Sequence, residues 1–189
     1  MTSDQVLTLF RQSGALLEGH FRLSSGLHSG GYLQCALVLQ CPAHATTLGA
    51  ALAERAREWR PTVVLSPALG GIVIGHEVAR GLGVKALFAE RQEGKLALRR
   101  GFSISPDDRV LVVEDVVTTG GSTRETMEVA RAAGALIAGA ASIIDRSTEP
   151  TKLDAPLVSL VKYPLATHEA SVCPLCAQGV PVVKPGSRT

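Results

Sequence analysis

Apolar residues recur at roughly helical spacing near the start of the chain, at Val6, Leu9, Phe10, Leu16 and Leu17, and predict a helix over residues 4–19 that Gly14 interrupts. From 20 to 42 the pattern breaks into Ser, Gly and His, with turn signals at Ser24-Ser25-Gly26 and Ser29-Gly30-Gly31. Tyr32 to Leu39 reads as one or two short strands. Pro42 can open the next helix, which runs to about Arg60 with Leu48, Leu52, Ala56 and Trp59 as its apolar stripe.

Strand and helix then alternate. Strands are expected at Thr62 to Ser66, Val84 to Glu90, Arg109 to Glu114, Leu136 to Ile144 and Pro156 to Val161. Helices are expected at about Ile72 to Leu82 and Ser122 to Ala133, the second with Gly134 as a C-terminal cap. Residues 91–108 are charged and Gly-containing, with no clean period. The run Arg109-Val-Leu-Val-Val-Glu114 is apolar on both faces, as in a central parallel strand. The order implies an α/β fold with an open, mostly parallel sheet flanked by helices. One domain over 1–189 is expected. Its core covers roughly 43–165, and a small hood is formed by roughly 1–42 with part of the C-terminal tail. The Pro/Gly-rich segment 173–189 is expected on the surface.

Composition narrows the classes. Aromatic residues are only 4% of the chain, so Val, Leu, Ile and Ala must build the core. A net charge of +2 gives no basic surface for nucleic acid, so anions must be bound at a local site. No apolar run reaches membrane-spanning length, and the N-terminus lacks the apolar centre of a signal peptide. The expected compartment is the cytoplasm. Four cysteines are too few for a disulfide scaffold. Cys173 and Cys176 form a lone C-x-x-C pair that suggests half of a zinc site, with Cys35 and Cys41 as conceivable further ligands. The spacing of Cys35 and Cys41 does not match a standard zinc knuckle, and free thiols packed in the hood or tail are the preferred reading. His20, His28 and His44 have no metal-ligand spacing, and His28 lies near enough to the turn segment to contact a substrate.

The chemistry concentrates in one stretch, VLVVEDVVTTGGS from Val110 to Ser122. An apolar strand ends in Glu114 and Asp115, a Thr/Gly loop follows, and a helix begins. Thr118, Thr119, Gly120, Gly121 and Ser122 offer hydroxyls and backbone N–H groups at a helix N-terminus, which suits a phosphate. The two acids suit sugar hydroxyls or a hydrated Mg²⁺. Together they point to a phosphorylated sugar. The plain alternative is a solvent-exposed loop with Thr119 or Ser122 as an ordinary N-cap. Neither G-x-G-x-x-G after the first strand nor G-x-x-x-x-G-K-[ST] anywhere is present.

That stretch resembles the diphosphate-sugar signature of the type I phosphoribosyltransferases, and from about Gly14 to Arg146 the chain is similar to the orotate phosphoribosyltransferase family. The resemblance implies transfer of a phosphoribosyl group from 5-phosphoribosyl 1-diphosphate (PRPP) to orotate, in de novo pyrimidine synthesis, with Mg²⁺ as cofactor. It implies that Glu114 and Asp115 hold the ribose hydroxyls. The residues that follow, Val116 and Val117 with Thr118 to Ser122, would line the PRPP site and wrap its 5-phosphate. Gly70 and Gly71 would bind the diphosphate together with Arg91. Lys95 would reach the leaving group from the neighbouring subunit of a homodimer, and would act with Glu114 and Asp115 as the catalytic set. Tyr32, Leu33, Thr118 and Arg146 would hold orotate, the last by its carboxylate.

The chain departs from the family in its cations. Family members commonly carry lysine where this chain has Ser24 and Gly70, and a further lysine and a histidine in the catalytic loop, where it has Gln92 and Ala97. Arg22, Arg99 or Arg100 could substitute. Two alternatives stay open: another base, or a non-catalytic nucleotide-sensing regulator on the same fold.

Overall fold

The computed structural model describes residues 1–23 and 25–185; Ser24 lies outside them. Helix α1 spans Ser3–Gln12, and Thr2 and Gln5 form a capping box at its start. It is shorter than the apolar spacing predicted. Gly14 takes φ +67°, and the amides of Gly14 and Ala15 bond back to the Arg11 and Phe10 carbonyls, which closes the helix in a Schellman motif. Leu16 and Leu17 therefore belong to strand β1 (Leu16–Arg22). Strand β2 (His28–Leu33) pairs antiparallel with β1. The expected strand beyond it is instead a short helix, α2 (Cys35–Leu39), which buries Cys35, Val38 and Leu39.

Helix α3 (Pro42–Ala56) leads through a 3-10 turn, Arg57–Trp59, into β3 (Val63–Pro67). Then come α4 (Gly70–Leu82), β4 (Lys85–Gln92) and β5 (Lys95–Leu98). The segment without a period thus holds a tight hairpin, with Glu93 and Gly94 both at positive φ in its two-residue turn. Strand β6 (Arg109–Val117), α5 (Gly121–Ala132), β7 (Leu136–Asp145) and β8 (Leu157–Lys162) complete the main sheet. Its order is β5-β4-β3-β6-β7-β8, parallel except for β5.

Strand β6 is central, and its alternating side chains feed two cores. Leu111 and Val113 pack with α1 to α4, whereas Val110 and Val112 pack with Met127 and Ala130 of α5. A second sheet, β1-β2-β9, uses Thr167–His168 as β9. The tail then makes a 3-10 turn at Ala170–Val172 and a short helix, α6 (Pro174–Ala177). It is not a loose surface segment. Cys173 is buried, and Val183 exchanges backbone hydrogen bonds with His20 and Arg22 at 2.9 Å each. Among the described residues, no helix is long and apolar enough to cross a membrane.

Candidate active site

The ends of β6 and β7 and the start of α5 meet at the carboxyl edge of the main sheet, where open α/β sheets bind ligands. Gly120 is the N-cap of α5 at φ +74°, and a Cβ there would lie 2.5 Å from the Thr151 methyl. Only glycine lets the chain turn so tightly into the helix. The Arg124 guanidinium donates to the carbonyls of Thr119 and Lys152, both at 3.1 Å, and ties the loop to the segment after β7. The result is a pocket of about 230 Å³ lined by Glu114 and every residue from Val116 to Thr123, with Glu125. First-turn N–H groups of α5 lack helical partners, which makes this an anion cradle.

Glu114 and Asp115 do not act as a side-by-side pair. Strand alternation sends them to opposite faces. Glu114 is on the α5 side and lines the small pocket. Asp115 lies against the start of α4: a Cβ on Gly70 would sit 2.9 Å from both of its carboxylate oxygens. The space a side chain would need at Gly70 is thus filled by Asp115. Burial, with a smaller push from Asp115, drives the Glu114 pKa up to about 8. Burial also raises Asp115, against hydrogen bonds from its own backbone and from the Val116 N–H at 2.9 Å. Neither acid has a salt-bridge partner among the described residues.

A larger cleft, about 1220 Å³, adjoins the pocket and shares Thr118 and Thr119 with it. Tyr32 and Leu33 of β2 and Arg146 after β7 face this same cleft. Its hood side is completed by Leu23, Ser25 and Leu27. Asp145 turns inward, and its bonds from Lys162 at 2.8 Å and from Ser147 at 2.6 Å outweigh the effect of burial and hold its pKa low. The neighbouring acid is thereby used up. Arg146 has no ion-pair partner among the described residues, and its Nε is buried without a hydrogen bond. Burial pulls its pKa below the usual arginine value. An unpartnered guanidinium in a cleft is poised for a carboxylate.

The remaining expected residues are on the other flank. Gly70 and Gly71 open α4, and Gly71 allows its helix to approach the Val113 carbonyl, 2.9 Å from where a Cβ would be. Arg91 is in β4, where it donates to the Gly94 carbonyl at 2.6 Å and pairs with Glu125 of the small pocket at 2.8 Å. Lys95 is exposed at the start of β5, opposite Gln92 across the hairpin, and has no ion-pair partner among the described residues. Arg100 forms a bidentate pair with Glu90 through Nε and Nη2 at 2.7 and 2.8 Å, which leaves its Nη1 donors unused among the described residues. His28 is buried against His20 rather than in the cleft lining.

Sequence reasoning missed Arg124 and Lys152, which both line the large cleft. Arg124 carried a signal: a cation in the first turn of a helix opposes the helix dipole and needs another reason to be there. Lys152 carried none, because its segment has no periodic pattern. The reading of the cysteines also needs correction. Cys35 is buried in α2 beside Asp115 and Arg146, and Cys41 precedes α3; neither joins Cys173 and Cys176. The residues that do are His20 and His28.

Comparison with known proteins agrees with this geometry. The phosphoribosyl transferase domain family matches residues 38–177. Orotate phosphoribosyltransferase of Chlorobaculum parvum is 51% identical over 100% of this chain and 98% of its own. That of Pelotomaculum thermopropionicum is 51% identical over 100% of this chain and 99% of its own. The crystal structure of orotate phosphoribosyltransferase from Aeropyrum pernix superposes with a TM-score of 0.67 at 26% identity, over 83% of this chain and 93% of that one. A Mycobacterium tuberculosis orotate phosphoribosyltransferase, at 23% identity, shares the fold with a TM-score of 0.73 over 84% of this chain and 94% of that one. The Thr/Gly turn after the central strand, set beside a cleft whose guanidinium has no ion-pair partner among the described residues, thus occurs in a chain that belongs to the orotate phosphoribosyltransferase family of type I phosphoribosyltransferases.

Proposed function

We infer that this protein transfers the phosphoribosyl group of PRPP to orotate, giving orotidine 5′-monophosphate and diphosphate. The observation that carries this reading is Arg146, which lies in the same cleft as Tyr32 and Thr118 with no ion-pair partner among the described residues. A neutral base would leave that half-buried cation without a partner; the orotate carboxylate supplies one. Tyr32 and Leu33 pack against the ring.

The N-terminal turn of α5, from Thr118 to Ser122, holds the 5-phosphate. Glu114 and Asp115 hold the ribose from two sides. The orotate ring nitrogen attacks C1 as the C1–oxygen bond to diphosphate breaks, and positive charge spreads over C1 and the ring oxygen. Glu114, protonated in the free protein, loses its proton to solvent when positive charge faces it, and the two carboxylates then favour the transition state over the ground state. Orotate enters as an anion, so positioning does most of the work. Gly70 and Gly71 offer backbone N–H groups to the diphosphate, and Arg91 reaches it by leaving Glu125. Lys95 closes over the leaving group from the second subunit of a homodimer. The carboxyl groups of Asp115 and Glu114, which lack cation partners among the described residues, fit Mg²⁺ brought in with PRPP. When bound, that ion neutralises charge on the diphosphate.

The test is diphosphate release by purified protein with PRPP and Mg²⁺, offered orotate, uracil, adenine or hypoxanthine. Release with orotate alone is expected. Release with a neutral base and not with orotate would transfer the reading to another phosphoribosyltransferase, and binding of PRPP without turnover of any base would favour a regulator.

A further inference from the structure

We propose that His20, His28, Cys173 and Cys176 form a structural zinc site that fastens the C-terminal tail to the hood. The four side chains come from three separate parts of the chain: β1, β2 and the start of α6. His28 pairs with Arg22 across the β1–β2 hairpin, and His20 is two residues before Arg22, on the same face. The C-x-x-C pair brackets the first turn of α6, and Leu175 between the cysteines lies against Gly30 of β2. These contacts bring both thiols over the two imidazoles.

Interatomic distances fit a single tetrahedral ion. The His20 Nε2 and His28 Nδ1 atoms are 2.9 Å apart. The Cys173 Sγ is 3.5 Å from His20 Nε2, and the Cys176 Sγ is 3.7 Å from it and 3.3 Å from His28 Nδ1. All four ligand atoms lie within 4.8 Å of one another. Ordinary zinc–nitrogen and zinc–sulfur bond lengths give tetrahedron edges of about 3.3 Å for N···N, about 3.6 Å for N···S and about 3.8 Å for S···S. Two imidazoles and two thiolates suit zinc better than hard cations such as Mg²⁺.

The outer shell agrees. His20 Nδ1 is 2.7 Å from the Val180 carbonyl. A carbonyl can only accept, so Nδ1 carries the proton and Nε2 presents its lone pair to the other three ligands. Val180 belongs to the same tail that the cysteines anchor. Three of the four ligands are buried, and four protein ligands leave no open position, as in structural rather than catalytic zinc sites. Strand β2 carries both His28 and Tyr32, so the ion would brace the wall of the large cleft from behind.

The experiment uses full-length protein freed of any histidine tag and kept reduced. It is supplied with Zn²⁺, desalted, and measured for zinc per chain by mass spectrometry. Wild type should retain close to one equivalent. The Cys173→Ser/Cys176→Ser double variant should retain almost none. Cys176→Ser alone is a second variant, because that side chain is exposed and its loss leaves the packing intact; it should release zinc to a chelator faster than wild type. Cobalt substitution should give the intense visible bands of a tetrahedral site and a thiolate charge-transfer band. Wild type that holds no more zinc than the double variant, or cobalt bound without thiolate bands, would overturn the proposal.

Discussion

The backbone N–H of Arg146 donates to the carbonyl of Val117 at 2.8 Å. This bond continues the parallel pairing of β6 and β7 beyond Val117 and Asp145. In the proposed function it sets Arg146, for the base, directly beside Val117, which leads into the Thr118–Ser122 turn, for the phosphate. Two adjacent strand ends would thereby fix the spacing between the two halves of one nucleotide.

Replacing Arg146 with Ala removes the carboxylate partner and leaves that fixed spacing intact. A hydrogen-bonded charge pair of this kind is worth about 1.5–3 kcal/mol, so kcat/KM for orotate should fall by roughly 10- to 150-fold. The KM for PRPP should change little. Steady-state kinetics with each substrate varied in turn checks both statements; an equal rise in both KM values would mean that the loop itself had moved.

Glu114 makes stability depend on pH. Its folded pKa, about 8, is above the ordinary value of 4.5. Between those values the unfolded chain has released a proton that the folded chain retains. Stability should therefore fall as pH rises from 4.5 to 8, and level off above that. By pH 7 the loss is on the order of 3 kcal/mol. Glu114→Gln should remove this part of the slope and be more stable than wild type at pH 8 in the absence of substrate. Denaturant titrations across that range provide the check, and parallel slopes in the two proteins would contradict it.

Lys95→Ala should lower kcat by about 100-fold or more while PRPP still binds, since the cation acts on charge that develops as the leaving group departs. If the residue serves the neighbouring subunit, mixing this variant with one inactivated at Asp115 should restore activity in hybrid dimers. Absence of restored activity would place Lys95 in its own subunit's site.

Gly120→Ala forces a Cβ into positive φ and to within 2.5 Å of the Thr151 methyl. Overpacking of this sort costs about 1–3 kcal/mol. A lower melting temperature is expected, together with weaker PRPP binding, because the same turn forms the phosphate cradle.

The main sheet and its signature turn were legible because their signals are local. Apolar runs mark β3, β6 and β7, and the Glu-Asp and Thr-Gly residues follow that of β6 directly. The hood was less legible. Leu16 and Leu17 continue a helical spacing from Val6 and Phe10, yet the Schellman turn at Gly14 ends the helix and puts them in a strand. Tyr32 and Leu33 do lie in β2, but Cys35 to Leu39 form a helix whose burial against α3 and α4 decides its state. The hairpin of Arg91 and Lys95 has no hydrophobic period because its tip is exposed. His20 and His28 give no ligand spacing along the chain; only cross-strand pairing joins them, and only the folded tail brings Cys173 and Cys176 to them.

A crystal structure with orotidine 5′-monophosphate bound tests the central geometry most directly. The account predicts phosphate oxygens about 3 Å from backbone N–H groups of the Thr118–Ser122 turn, and the base carboxylate at the same distance from the Arg146 guanidinium. A nucleotide seated with its phosphate away from that turn, or with its carboxylate in solvent while Arg146 stays unpaired, would contradict it.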